Sequence, residues 1–307
     1  MIRVRALAKI NLDLRVLGKR PDGFHELRTI FQTISLADVL EIGFTRARRT
    51  EITLEDALQI ENNLVMRAAQ AVMDTMRITG RIAMRLIKRV PMGAGLGGGS
   101  SDAAAVLLAL PAIARRRIEP ARLAAIAAEL GSDVPFFLLG GTAVGIGRGT
   151  EVFPLPDAPS MSGVLVAPGV HVNTAQAYRD LSPRLTTDLQ QNKMVSFQSV
   201  TWDTGDLSPA RNDFEEVVFE QHPELAALKN RLGRAGAAVS LMSGSGSSVY
   251  GLFPNRDQIA RGLKAAGQAK AFRISLVSRV RYRTMWWRAL AGQVQPGIWP
   301  PQSRYSR

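Results

Sequence analysis

The stretch Pro91-Met-Gly-Ala-Gly-Leu-Gly-Gly-Gly-Ser-Ser-Asp102 constrains this chain more than any other. Before it, Arg81 to Val90 carries Ile82, Met84 and Leu86 at alternate positions, the spacing of a half-buried strand. After it, Ser100, Ser101 and Asp102 are each good helix N-caps, and the apolar run Ala103 to Leu110 follows. The stretch therefore predicts strand, glycine loop and helix N-terminus in that order. Glycine is five of the seven residues from 93 to 99, so backbone N–H groups stand unshielded beside the positive end of a helix. Such a place favours an anion, most often a phosphate.

Several phosphate loops can be weighed. Gly93 to Gly98 fits the dinucleotide pattern G-x-G-x-x-G, but that site needs a second strand ending in an acidic residue about 20 positions on. Arg115-Arg-Arg-Ile-Glu119-Pro120 stands there instead. A Walker loop needs Lys after its last glycine, where this chain has Ser100. The H-R-D and D-F-G motifs of protein kinases are absent from the sequence.

The segment Pro91 to Ala105 resembles the ATP-binding motif of the superfamily that contains galactokinase, homoserine kinase, mevalonate kinase and phosphomevalonate kinase. The triple glycine and Ala8-Lys9-Ile10-Asn11-Leu12 are similar to one branch of it, whose substrate is a cytidyl diphosphate of methylerythritol in non-mevalonate isoprenoid synthesis. The resemblance runs in order from about residue 6 to residue 280. It implies an α+β, two-domain GHMP kinase fold: an N-terminal ATP-binding domain like ribosomal protein S5 domain 2 and a C-terminal ferredoxin-like domain. The expected bounds are 1–156, 163–284, and a tail 285–307 that departs from the family pattern. The linker is expected in the Pro- and Ser-rich stretch 154–162.

Residue by residue, the resemblance implies Lys9 and Asp133 as the catalytic pair, with ATP and Mg²⁺ as cofactors. Pro91, Met92, Gly93, Ala94, Gly95, Leu96, Gly97, Gly98, Gly99, Ser100 and Ser101 would cradle the ATP phosphates. Ser100 or Ser101 would reach the metal, and no other metal ligand is assigned. Asn63, Leu64 and Lys88 would contact the nucleotide. Phe24 and His25 would hold the cytosine by stacking and hydrogen bonding, and Asn11, Thr174 and Tyr178 would edge the substrate. The family often has Tyr where Phe24 stands, and Ala where Ser132 stands.

The residues themselves leave alternatives open. Lys9 reads equally as an exposed edge charge on a strand from Met1 to Val16. Asp133, just before Val134-Pro135, reads by itself as the N-cap of a short helix. Asn63 is also the natural cap of a helix whose Leu64, Val65, Ala68, Ala69, Val72 and Met73 share one face. Phe24-His25, past the turn Pro21-Asp22-Gly23, is equally a local packing pair. Gly140 to Gly149 and the second glycine-serine loop, Ser243 to Ser248, serve either as bends or as ligand contacts.

Further elements are expected as strands at 27–34, 39–44 and 51–54, with the loop helix brought to its end by Pro111 and Arg115 to Arg117. A helix from Ala121 to Leu130, a buried strand at 163–168 and a polar surface loop at 183–208 follow. Asn212 is expected to cap a helix after Arg211-Asn-Asp-Phe-Glu215, and 257–266 and 272–277 complete the second domain as helix and strand. The tail carries Trp286, Trp287, Trp299 and Pro300-Pro301 without an assigned role.

Composition narrows the function classes. The 46% hydrophobic and 21% charged content is that of a globular protein, and zero cysteines exclude disulfides and thiolate chemistry. Three separated histidines argue against a structural zinc site. No apolar run is long enough to span a bilayer, and Lys9, Asp13 and Arg15 break any signal-peptide core, so a cytoplasmic enzyme without a membrane partner is expected. The net charge of +13 raises nucleic-acid binding as a rival, but the arginines fall in short groups without interleaved aromatics. The expectation is a small-molecule kinase, monomer or homodimer, with no nucleic-acid partner.

Overall fold

A computed structural model describes residues 1–185 and 210–305. Two very long strands, β1 (Ile2–Lys19) and β2 (His25–Arg46), pair antiparallel and carry the rest. The two strands expected at 27–34 and 39–44 are one. The two-residue step from Leu7 to Lys9 in β1 faces the four-residue step from Ala37 to Thr33 in β2. A bulge thus absorbs the irregularity that the sequence pattern suggested as a break.

The first sheet runs β3 (Glu51–Asp56), β4 (Gly80–Ile87), β2, β5 (Thr142–Gly147), β6 (Glu151–Pro154), with β1 also on β2. Four helices pack with it: α1 (Leu64–Met76), α2 (Gly98–Ile113), α3 (Pro120–Leu130) and α4 (Val134–Leu139). Every residue of α2 from Ser101 to Ala112 is buried, so it packs on all sides rather than along one stripe. Pro111 lies inside it, and it ends just before Arg115. The helix runs two residues past the proline, the burial of this last turn offsetting the backbone bond that proline forgoes.

The second sheet is antiparallel, in the order β10 (Lys270–Ser275), β7 (Ser162–Ala167), β9 (Val249–Phe253), β8 (Val239–Met242). It is associated with α5 (Thr174–Leu181), α6 (Phe214–Gln221), α7 (Pro223–Arg234) and α8 (Gln258–Ala265). A third apolar cluster fills the seam between the sheets, built from Ile10, Leu12, Ile34, Leu165, Tyr250 and Ile274 among others. β1 feeds all three clusters: Val4 and Leu7 the first, Ile10 and Leu12 the seam, Leu14 and Val16 the second. The α+β, two-sheet architecture is the expected one.

The connection 155–161 is tied down at both ends. Leu155 N–H donates to the Thr142 carbonyl, and Asp157 accepts from the backbone N–H groups of Thr142 and Arg279. The last helix, α9 (Arg279–Ala289), turns back to the first cluster, where Tyr282, Trp286, Leu290 and Val294 are buried. Apart from residues 183–185, the polar stretch expected as a surface loop lies outside the described residues.

Candidate active site

The loop helix begins at Gly98, with Gly97 as its cap residue, rather than at the serines or Asp102. Those side chains are committed elsewhere. Ser101 Oγ donates to the Leu7 carbonyl at 2.7 Å, and Asp102 accepts from Lys88 at 2.7 Å. Gly95 and Gly97 both lie in the left-handed region, at φ 76° and 64°. A Cβ on Gly95 would strike the Ser243 carbonyl oxygen, and one on Gly97 would come within 2.9 Å of the Phe137 ring. These two glycines therefore admit close neighbours as well as a ligand. The second loop locks onto the first: Ser243 Oγ donates to the Gly95 carbonyl at 2.9 Å, and Ser248 N–H to that of Ala94 at 3.3 Å.

Lys9 is not an edge charge. Its side chain is 4% exposed and sits at the bulge, with its backbone N–H donating to the Leu96 carbonyl. The ammonium donates to Asn11 Oδ1 at 2.7 Å, lies 3.4 Å from Asp133 Oδ2 and stands over the Phe31 ring. Asn11 is fixed in turn, its amide donating to Thr29 Oγ1 and its carbonyl accepting from the Tyr250 hydroxyl. Asp133 precedes α4 but makes no capping bond to it, so its carboxylate, 31% exposed, is turned to Lys9 and the cavity.

That cavity, about 1010 Å³, is bounded by Lys9, Asn11 and Asp133 at one end and by Phe24, His25 and Tyr178 at the other. His25 stacks on Tyr178 with ring centroids 4.8 Å apart, and its Nε2 shares a 2.6 Å hydrogen bond with Ser182 Oγ. Burial, then the charge of Lys19, holds His25 below the usual histidine range. Burial, then the Asp133 carboxylate, pushes the Tyr178 phenol up. Thr174 pairs its hydroxyl with Ser245 at 2.7 Å at the cavity edge. Phe24 is half exposed and covered on one face by the Arg148 guanidinium, 3.6 Å from the ring centroid.

A second cavity of about 430 Å³ lies across the glycine loop, lined by Asn63, Leu64, Lys88 and Pro91 to Ser100. Gly93, Gly95, Gly97 and Ser100 border both spaces. An elongated anion could thus lie along the loop with one end facing Lys9 and Asp133. Ser100 is the serine that borders both cavities, whereas buried Ser101 points to Leu7.

Asn63 does cap α1, accepting from Val65 N–H at 3.0 Å, while still lining the second cavity. Lys88 is nearly buried and bridges Asp38 at 2.5 Å and Asp102 at 2.7 Å. Burial opposes its charge, but Asp102 and Asp38 outweigh burial and hold its pKa above the ordinary value. The ammonium expected on the nucleotide is already paired with two carboxylates.

The family model for the GHMP kinases N terminal domain matches residues 63–141, and that for the GHMP kinases C terminal matches 203–270. A Solibacter usitatus 4-diphosphocytidyl-2-C-methyl-D-erythritol kinase is 69% identical, over 99% of this chain and 97% of its own. The chain belongs to the 4-diphosphocytidyl-2-C-methyl-D-erythritol kinase family. A relative of the same name from Pelotomaculum thermopropionicum is 41% identical over 82% of this chain and 89% of its own. The crystal structure of a 4-(cytidine 5'-diphospho)-2C-methyl-D-erythritol kinase superposes with a TM-score of 0.76 at 36% identity, covering 90% of this chain and 99% of that one. A mevalonate kinase of Methanococcus jannaschii shares the fold at 14% identity, with a TM-score of 0.67 over 90% and 98% of the two chains.

In this member of the kinase family, three site-forming residues escaped sequence reasoning. Arg148 borders the large cavity from a glycine-rich strand end that the sequence left open between bend and ligand contact, without singling out the arginine. Ser182 holds the His25 ring from more than 150 residues away. Asn212 was expected as a cap and does accept from Phe214 N–H. Its amide also donates to the Met242 and Gly244 carbonyls, at 2.8 and 2.7 Å, and so shapes the second loop. Only its place beside a predicted helix start was visible in the sequence.

Proposed function

We propose that the protein transfers the γ-phosphoryl group of ATP to the 2-hydroxyl of 4-diphosphocytidyl-2-C-methyl-D-erythritol, giving the 2-phosphate and ADP. The observation that carries this reading is the Lys9–Asp133 pair, 3.4 Å apart, at the glycine loop shared by two cavities. The smaller cavity fits the nucleotide, with Asn63 and Leu64 beside the base and the backbone of 91–100 along the phosphates. The larger fits the acceptor, with its cytosine at Phe24, His25 and Tyr178 and its hydroxyl toward Asp133.

Asp133 accepts the proton as the 2-hydroxyl oxygen attacks the γ-phosphorus and the bond to the ADP oxygen breaks. Lys9, oriented by Asn11, faces that carboxylate and offsets charge on the transferring group. Among the described residues no group of three or more His, Asp or Glu side chains gathers to hold a metal. The donor set therefore fits Mg²⁺ carried by phosphate oxygens, with the Ser100 hydroxyl as the protein group within reach. Bound there, Mg²⁺ supplies charge neutralisation of the phosphates. The same reading carries with it action in the cytoplasm, as monomer or homodimer, on a small molecule and without a nucleic-acid partner.

The test is ADP release from ATP with the cytidyl substrate, beside mevalonate, homoserine and the Asp133→Asn variant. Turnover on the cytidyl substrate alone, lost about a hundredfold or more in the variant, is the expected result. Turnover on another alcohol instead would remove the cytosine assignment, and full activity in the variant would remove Asp133 as base.

A further inference from the structure

The helix that presents Asp133 is only six residues long. A helix this short does not hold itself together, and its last carbonyls have no partner within it. Within α4 and its cap the ladder closes with Gly140 N–H on the Phe136 carbonyl, which leaves the carbonyls of Phe137 and Leu138 beyond it. Both find donors in the C-terminal segment. The Tyr282 hydroxyl donates to the Phe137 carbonyl at 2.6 Å, and Trp299 Nε1–H donates to the Leu138 carbonyl at 2.6 Å.

The segment is built to keep those two donors in place. Tyr282 is 1% exposed, and its ring lies so close to Gly140 that a Cβ there would enter it. Burial pushes the phenol up, so it remains a donor. Trp299 meets Tyr282 and Trp287 edge to face, with the Arg283 guanidinium over its ring. The chain around it is closed by backbone bonds, Gln295 N–H to the Gln302 carbonyl and Arg304 N–H to that of Gln293. Buried Gln302 and Ser303 anchor the return.

We infer that Tyr282 and Trp299 are positioning residues for phosphoryl transfer: the C-terminal segment caps α4 from behind and thereby fixes Asp133 relative to Lys9. The inference rests on Asp133 as the base. The 3.4 Å spacing to Lys9 is maintained on one side by β1 and on the other by these two donors. Without them the last turn of α4 loses its external bonds and its register against Phe31 and Tyr282. Substrates still bind, because neither donor borders either cavity. The loss therefore falls on kcat rather than KM.

The experiment uses the full chain with Tyr282→Phe, Trp299→Phe and, as a control in the same segment, Tyr305→Phe, whose exposed ring lies against Arg115. Tyr282→Phe and Trp299→Phe are expected to lower kcat about tenfold, in line with the penalty for sub-ångström misplacement, with KM for both substrates within about twofold. Tyr305→Phe is expected to stay within about twofold of the parent. In an Asp133→Asn background, Trp299→Phe should lower the residual rate no further, because the group it positions is gone. Unchanged kcat in both tail variants, a change confined to KM, or a full additional loss in the Asp133→Asn background would overturn the inference. Were a tail variant to melt early, kcat per folded molecule below its melting range makes the same decision. An active Asp133→Asn enzyme would instead remove the proposed base, a distinguishable failure.

Discussion

Replacing Lys88 by Met separates two uses of one ammonium. The structure places it between Asp38, whose side chain is 0% exposed, and Asp102, at 2%. Removing one partner from a buried ionic cluster costs about 3–5 kcal/mol, because the remaining charges lose their compensation. Two features put the cost near the lower end. Asp38 keeps the backbone N–H groups of Arg89 and Val90. Burial already pushes the Asp102 carboxyl up to about 7, with Lys88 pulling it down and Asp38 adding to the rise, so it can take a proton. At about 2 °C per kcal/mol for a chain this large, a loss of about 3 kcal/mol lowers the melting temperature by about 6 °C.

The pH dependence has a definite sign. A carboxyl raised in the fold binds its proton more tightly there than in the unfolded chain, so its contribution to stability falls as pH rises from 3.8 to about 7. Without the Lys88 pull the Asp102 carboxyl is raised further in the variant and cannot ionise where the parent's does. The Lys88→Met deficit should therefore be widest at pH 8 and narrow at pH 5. Thermal melts of the ligand-free protein at the two pH values, beside KM for ATP, decide it. A variant that melts like the parent while its ATP KM rises tenfold would refute the structural role and return Lys88 to the nucleotide.

Gly95→Ala should break the contact between the two glycine loops, since the added methyl meets the Ser243 backbone and the position holds φ 76°. A loss of stability of about 1–3 kcal/mol with kcat/KM down at least tenfold is expected from melts and steady-state rates. His25, held below the usual 6.5 by burial and then Lys19, stays neutral to lower pH than a free histidine. KM for the cytidyl substrate should therefore be flat as pH falls to 6.5, rising only in more acidic buffer. A rise beginning above 6.5 would contradict the environment described for the ring.

Strand, glycine loop and helix were legible around 91–110 because each is a local pattern: alternation, backbone freedom, an apolar run. Lys9 and Asp133 stood out through motif resemblance, yet their 3.4 Å approach depends on a bulge in β2 opposite Lys9 and on a helix far along the chain. Neither has a local signature. The start of α2 was misjudged for a related reason, since Ser101 and Asp102 spend their polar atoms on Leu7 and Lys88 rather than on their own helix. The single strand through residues 34–39 and the helix through Pro111 are tertiary outcomes, where pairing and burial outweigh local preference. The pairing of Lys88 with Asp38 was not legible because Asp38 lies 50 residues away in sequence.

The strand that threads all three apolar clusters is also an element that the two halves of the molecule share. Lys9 lies near the middle of that strand, with one lobe anchored on its first half and the other on its second. If the lobes rock, they rock about this axle, and the point nearest a pivot travels least. A pivot there would leave the Lys9 ammonium in place while Phe24 and Met92, both exposed on the outer walls, travelled through larger arcs.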